Sequence, residues 1–325
     1  MVHSNMDNAA LLRPLGRSGL MVPKLTFGGN VLGWTADREM SFRLLDACLD
    51  AGLNAIDTAN MYSVFAPGNH GGESETVIGE WLQARGNRNR VLIFTKVGLG
   101  FGDTPAGLAK STIERGIEDS LRRLQTDHVD LYMAHQDDAS VPLEESLEAF
   151  ASLVATGKVR AIGASNFTAE RLESAIEVSE AHQWPRYESL QTLYNLMDRL
   201  GFEAQLAGVC QARQLGGMSY SSLASGFLTG KYRAAGDQSK SPRGGRALGY
   251  LHSRGVAVLE TLDRIAAELD SNPTQISLAW LMAKPAITTA VASATNPEQL
   301  YDLIGAATLD LPPWAMTQLD EVSAE

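Results

Sequence analysis

NAIDTANMYSVFAPGNHGGESETVIGEWLQARGNRNRVLIFTKV, residues 54–97, decides the fold, because it contains one whole strand–loop–helix–strand unit. NAIDTA (54–59) and VLIFTKV (91–97) are short, β-branched and almost continuously apolar, as strands buried on both faces are. Between them, SETVIGEWLQARG (74–86) carries apolar residues at helical spacing and ends on Gly86, where a helix C-cap favours glycine. Two such strands joined through a helix are parallel neighbours.

The unit recurs in both directions along the chain. KLTFGG (24–29) precedes it, and VDLYMAH (129–135), VRAIGAS (159–165), SLQTLYN (189–195), GMSYSS (217–222) and ITTAVAS (287–293) follow, giving eight expected strands. EMSFRLLDACLDAG (39–52), STIERGIEDSLRRL (111–124), PLEESLEAFASLVATG (142–157) and TAERLESAIEVSEAH (168–182) are further amphipathic helices. Gly52 and Gly157 again stand at helix ends. Eight alternating units predict an α/β fold closed as a (β/α)₈ TIM barrel.

Two segments break the alternation. LLRPLGRSGLMVP (11–23) reads as a hairpin plugging the N-terminal end of the barrel. The Gly-, Ser-, Arg- and Lys-rich stretch from about 228 to 250 reads as a long βα loop. Residues 1–10 are expected to be a flexible N-terminal tail, and 11–325 a single barrel domain.

Composition narrows the function. Of 325 residues, 44% are hydrophobic and 20% charged, an ordinary globular balance. A net charge of −11 opposes nonspecific binding to nucleic acid or anionic membranes. No apolar stretch approaches the roughly 20 residues of a membrane span, and the first residues lack the apolar core of a secretory signal. With only Cys48 and Cys210 present, a buried role in the reducing cytoplasm is expected. The six histidines (His3, His70, His128, His135, His182 and His252) are scattered, with no spacing that would hold a metal.

In barrel enzymes the chemistry lies at the C-terminal ends of the strands. Here Asp57 ends the second strand and Tyr62 follows it, Lys96 ends the third, and His135 ends the fourth. Free tyrosine, with a pKa of about 10, needs a stabilised phenolate to titrate near neutrality. Lys96 is placed to supply that charge, held by Asp57, and His135 can donate to a substrate carbonyl. Singly, each has a plainer reading: Tyr62 a loop tyrosine, Lys96 and Asp57 a structural ion pair, His135 a core residue. Their convergence favours catalysis. Asp130, earlier on the fourth strand, looks structural.

DTANMY (57–62), FTK (94–96) and LYMAH (131–135) closely resemble, in order, the catalytic motifs of the aldo-keto reductase superfamily. GRSGLMVPKLTFGG is similar to that family's opening, and YSVFAPGNHGGESETVIG (62–79) resembles its bacterial branches akin to potassium-channel β subunits. The resemblance spans about residues 12–322. It implies reduction of an aldehyde or ketone, or oxidation of an alcohol, with Tyr62 as general acid, Asp57 and Lys96 tuning it, and His135 orienting the carbonyl.

No G-x-G-x-x-G follows a strand; Gly98, Gly100 and Gly102 have the wrong spacing and read as a flexible βα loop. The resemblance therefore places a nicotinamide dinucleotide on barrel loops. Ser165, Asn166 and Gln191 would meet the carboxamide and Tyr220 would stack on the ring. Ser221, Leu223 and Gly226 would meet the pyrophosphate, with Lys231 and Arg243 near phosphates. Gly29 and Asn30, after the first barrel strand, join this set. A plainer reading makes Ser165 and Asn166 caps of the next helix. ASATNPEQL (292–300) would meet the adenosine end through Ser293 and Gln299. Many NADPH-preferring relatives carry Lys or Arg in that segment and this chain does not, but hydroxyls, a helix N-terminus and loop cations still favour NADPH, with NADH the alternative. Trp34, Met61 and Phe65 are candidate apolar walls for the substrate. Two other classes stay open: a Schiff-base aldolase using Lys96, and a nucleotide-binding regulatory or redox-sensing protein with little turnover.

Overall fold

The computed structural model describes residues 12–324; the expected tail at 1–10 lies outside them. The chain opens with an antiparallel hairpin of β1 (Leu12–Pro14) and β2 (Met21–Pro23), in register Arg13 to Val22. Its turn needs glycine at position 16: φ is +58°, and a Cβ there would stand 2.3 Å from the Glu188 carbonyl oxygen.

Eight parallel strands follow: β3 (Leu25–Gly28), β4 (Ala55–Asp57), β5 (Leu92–Val97), β6 (Val129–Ala134), β7 (Val159–Ser165), β8 (Tyr187–Leu193), β9 (Gly216–Tyr220) and β10 (Ile287–Ala292). They pair in chain order, and β10 returns to β3 to close the barrel. All eight lie where the alternation predicts them, with no end shifted by more than two residues.

Helices cover the outside: α1 (Arg38–Asp50), α2 (Glu73–Arg85), α3 (Lys110–Leu124), α4 (Leu143–Ala155) and α5 (Ala169–Ala181) match the predicted segments. After β8 come the short α6 (Leu200–Glu203) and α7 (Leu206–Arg213). The long loop is more ordered than its composition implies. It folds into 3₁₀ turns at Ala224–Thr229 and Ala235–Lys240 and a short α8 (Gly244–Leu248) before α9 (Ser253–Glu268). Then α10 (Pro273–Met282) leads into β10, and α11 (Pro297–Thr308) and α12 (Pro313–Val322) finish the shell. Asn272 and Asn296 cap α10 and α11, each ahead of a proline that suits the first helical turn.

The larger core lies between strands and helices, with Trp81, Phe150, Tyr187 and Trp280 buried in it. A second, inner core joins Leu15, Leu20 and Val22 of the hairpin to Ala55, Phe94, Leu131, Met133, Ala161, Met218 and Val291 of the strands. The hairpin thus closes the bottom of the barrel, as expected. Side chains alternate along a strand. Two residues on from the inner apolar layer, on the same face, come Asp57 after Ala55, Lys96 after Phe94, His135 after Met133 and Ser293 after Val291. The period of two carries these four strands from the packed apolar layer to polar side chains at the mouth in one step.

Candidate active site

Asp57 and Lys96 are buried, with 1% and 0% of their surfaces exposed. Lys96 Nζ donates to Asp57 Oδ2 at 2.8 Å, to the Thr58 carbonyl at 2.8 Å and to the Tyr62 hydroxyl at 3.0 Å. The Tyr62 hydroxyl in turn donates to Asp57 Oδ2 at 3.3 Å. His135 meets the tyrosine edge-on, ring centroids 6.0 Å apart. Its backbone N–H bonds the Val97 carbonyl, while its Nδ1 is buried without a partner. The four residues expected to converge do so.

The electrostatics differ from the expectation in one respect. Tyr62 is half-buried as a residue, but its hydroxyl end is enclosed, and burial holds the phenol well above its usual pKa. Asp57 pushes the same way through its charge and hydrogen bond. The phenol therefore keeps its proton at rest. Burial holds the Lys96 ammonium below its usual value, although Asp57 opposes this. Burial, then the Lys96 charge, pull His135 down to about 3, so its imidazole is neutral at ordinary pH.

Gln191 has a place the sequence does not reveal. Its Nε2 donates to Asp57 Oδ1 at 2.8 Å, across the barrel. Glu75 is a second residue sequence reasoning missed. It is fully buried, accepting from the Thr95 hydroxyl at 2.5 Å and from Arg123 Nε at 2.7 Å, directly behind the strand that bears Lys96. A signal existed: Glu75 shares an apolar helical stripe with Ile78 and Leu82, at spacings of three and seven.

Around this centre the expected cofactor residues form three groups. Asn166 Nδ2 donates to the His135 carbonyl at 2.9 Å and to Ser165 Oγ at 3.1 Å, and Asn166 Oδ1 accepts from the Tyr220 hydroxyl at 2.8 Å. The α5 cap is Thr168, so the plainer capping role for Ser165 and Asn166 does not apply. After β9, Ser221, Ala224, Ser225 and Gly226 all have positive φ, strain of the kind stored at binding loops. Leu223 lies within this run, and Lys231 Nζ lies 3.5 Å from where a Gly226 Cβ would stand. Across the mouth, Ser293 Oγ donates to Asn30 Oδ1 at 2.7 Å beside Gly29. Gln299 is engaged locally: its Oε1 accepts from the Thr295 backbone N–H at 2.9 Å and hydroxyl at 3.1 Å.

Trp34 and Phe65 pack edge-on at the rim, centroids 4.6 Å apart, with half-buried Met61 beside Tyr62. Arg243, expected near phosphates, lies over Trp34 with its guanidinium carbon 5.6 Å from the ring centroid. Asp130 is structural, as read: buried at the bottom of β6, it is held by Arg88 at 2.9 Å and Arg160 at 2.6 Å. Among the described residues no His, Cys, Asp and Glu cluster suited to a metal occurs, and no helix is long and apolar enough to cross a membrane.

The fold is a closed parallel barrel whose C-terminal mouth gathers a buried Asp–Lys pair, a tyrosine and a neutral histidine, at the end where barrel enzymes carry their chemistry. The chain belongs to the aldo/keto reductase family, whose model matches residues 24–324, and is an oxidoreductase. It is 33% identical to an uncharacterized oxidoreductase, YrpG, of Bacillus subtilis, over 95% of this chain and 94% of that one. It is 31% identical to a putative voltage-gated potassium channel subunit beta of Schizosaccharomyces pombe, over 95% and 92%. To the protein tas of Escherichia coli it is 30% identical, over 94% and 95%.

Proposed function

We propose that this chain reduces an aldehyde or ketone, or oxidises the corresponding alcohol, with NADPH as cofactor and Tyr62 as general acid/base. The observation that carries the reading is the Tyr62 hydroxyl, kept protonated by burial and Asp57, 3.0 Å from Lys96 Nζ and facing the same mouth as His135. A carbonyl oxygen placed between Tyr62 and His135 would accept from both. The unpartnered Nδ1 of His135 gives that ring unused hydrogen-bonding capacity in a buried place. As the carbonyl gains negative charge, Tyr62 hands over its proton, and Lys96 stabilises the phenolate left behind.

Three features of the chain fit a dinucleotide. The strained run at 221–226 exposes backbone near Lys231, a cation with no carboxylate partner among the described residues, which suits a pyrophosphate. Ser165 and Asn166 would hold a carboxamide beside the Tyr220 ring. Asn30, Ser293 and the N-terminus of α11 would meet the adenosine end. A bound nicotinamide supplies hydride to the carbonyl carbon; the residues above orient the carbonyl and deliver the proton. Lys96 gives all three of its donor positions to Asp57, Thr58 and Tyr62, an arrangement suited to tuning a tyrosine rather than to attacking a carbonyl. The cytoplasm is the compartment that two buried free thiols fit.

Absorbance of the reduced cofactor, followed with a simple aldehyde, tests the reading. Wild type should consume it, and Tyr62→Phe should lose about 10²–10⁴-fold in rate while still binding cofactor. Wild-type rates in that variant would overturn the assignment, and no turnover would favour a regulatory nucleotide binder. Thermal-shift titrations with NADP⁺ and NAD⁺ decide the cofactor, since the tighter ligand raises Tm more at equal concentration.

A further inference from the structure

Ser63 sits in a backbone conformation that serine seldom takes. Nine residues other than glycine have left-handed φ among the described residues. Gln125, Gln183, Gln214 and Asp270 follow helices, where such a turn is ordinary. Asn166, Ser221, Ala224 and Ser225 lie in the segments expected to hold the dinucleotide. Ser63, at φ +72°, directly follows Tyr62. Glycine would take this backbone without strain, so the strain is held by what the serine side chain binds.

Its hydroxyl, fully buried, donates at 2.7 Å to the Leu32 carbonyl, on the loop after β3. Asn69 completes the joint: its Nδ2 donates at 2.9 Å to the Ser63 carbonyl and at 2.9 Å to the Gly33 carbonyl. Two successive carbonyls of the first loop are thus taken by two side chains of the second. Gly33 is itself tight, with φ +72°, and a Cβ there would stand 3.0 Å from the Glu73 Cβ. Next comes Trp34, which packs against Phe65 of the second loop. One end of the joint adjoins the tyrosine and the other adjoins the aromatic wall.

The joint bears on chemistry through leverage. The Tyr62 hydroxyl stands at the far end of its side chain, 3.0 Å from Lys96 Nζ and 3.3 Å from Asp57 Oδ2. A small swing of the backbone at residue 63 would carry it off both. Ahead of the tyrosine the chain is fixed, because β4 ends at Asp57 and the Thr58 and Asn60 N–H groups bond the Phe94 and Lys96 carbonyls. Behind it, Ser63 and Asn69 supply the side-chain ties.

We propose that Ser63 and Asn69 are positioning residues: they clip the loop carrying Tyr62 to the loop carrying Trp34, so that proton donor and substrate wall are set as one rigid piece. This rests on the carbonyl-reductase reading above and adds what holds its acid in place.

Reduction of benzaldehyde by the full chain, with hydrogen exchange of the same proteins, tests this. Ser63→Ala and Asn69→Ala should each lose about 10–100-fold in kcat, the scale of a slight misplacement of a reacting group, with the cofactor Kd unchanged in a fluorescence titration. Ser63→Gly separates clip from fold. It relieves the strained backbone yet lacks the hydroxyl, so its Tm should exceed that of Ser63→Ala while kcat falls as far. In the double alanine variant the loss in kcat should fall well short of the product of the single losses. Exchange reads the joint without turnover. The hydrogen-bonded amides of Leu32, Gly33 and Trp34 and those of Val64, Ala66 and Asn69 should exchange faster together, whichever of the two side chains is removed.

Wild-type kcat in Ser63→Ala, whatever its Tm, makes the joint structural only and overturns the proposal. Faster exchange confined to the Tyr62 loop overturns it too, since the two loops would then move apart freely. A loss of cofactor affinity in step with kcat overturns it by moving the effect to the cofactor. If wild type turns over no carbonyl while both loops still open together in the variants, the reductase reading falls and the clip stands.

Discussion

Gln191, near the end of β8, donates its side-chain N–H to Oδ1 of Asp57, on β4 across the barrel, at 2.8 Å. The other carboxylate oxygen of Asp57 is taken by Lys96 and Tyr62. Both oxygens are thus fixed, and the tyrosine is held against a carboxylate that cannot rotate away.

Gln191→Leu should therefore loosen the site. A buried carboxylate oxygen loses its donor, costing about 1.5–3 kcal/mol as hydrogen bonds to charged groups do, and urea unfolding should show it. Turnover should fall too, because Asp57 gains a second orientation. Gln191→Glu should be worse on both counts, since it sets a second carboxylate against the first. Equal stability of wild type and the leucine variant would remove this role.

The Asp57–Lys96 pair should show strong coupling. Lys96→Met leaves a buried carboxylate uncompensated, which costs about 3–5 kcal/mol. Asp57→Asn removes the charge that makes this so costly. In the double variant the losses should fall well short of their sum, a gap measurable by a double-mutant cycle in urea. Simple additivity would mean that the two charges do not depend on each other.

Most of the barrel and the convergence of the candidate site could be read from local pattern, for a physical reason. A parallel strand covered on both faces must be apolar nearly throughout, so a titratable residue at its end stands out, as in AID, FTK and MAH. What escaped lies in pairings between distant segments. Nothing near Gln191 in sequence points to Asp57, 134 positions away. The upward shift of the Tyr62 phenol depends on burial first and on the Asp57 carboxylate beside it, which spacing does not encode. The turn at 224–229 forms where Ala224, Ser225 and Gly226 accept left-handed φ, and composition alone made the stretch that follows read as a long loop.

Cys48 and Cys210 are buried, on α1 and α7, and burial raises both thiols, Cys210 to about 12. Since the thiolate is the reacting species, a disulfide reagent such as DTNB should find neither cysteine in the native protein at pH 8 and both after denaturation. Rapid labelling of the folded chain would mean that α1 or α7 opens far more readily than its packing implies.

His135 should make the protein acid-sensitive in a defined window. Its pKa falls from 6.5 to about 3 on folding, through burial first and the Lys96 charge second. Between those values the unfolded chain binds a proton that the folded chain does not, so stability rises with pH there. The contribution is fully present above about 6.5 and drains away as pH falls toward 3, with a limiting slope of about 1.4 kcal/mol per pH unit for one proton. Urea unfolding of wild type and His135→Gln at pH 4.5, 5.5, 6.5 and 7.5 isolates the effect, because glutamine does not titrate. Wild type should lose more stability than the variant below pH 6.5, and the two should run parallel above it. Parallel curves throughout would mean that the imidazole protonates in place, contrary to the buried, neutral ring on which its proposed carbonyl-orienting role rests.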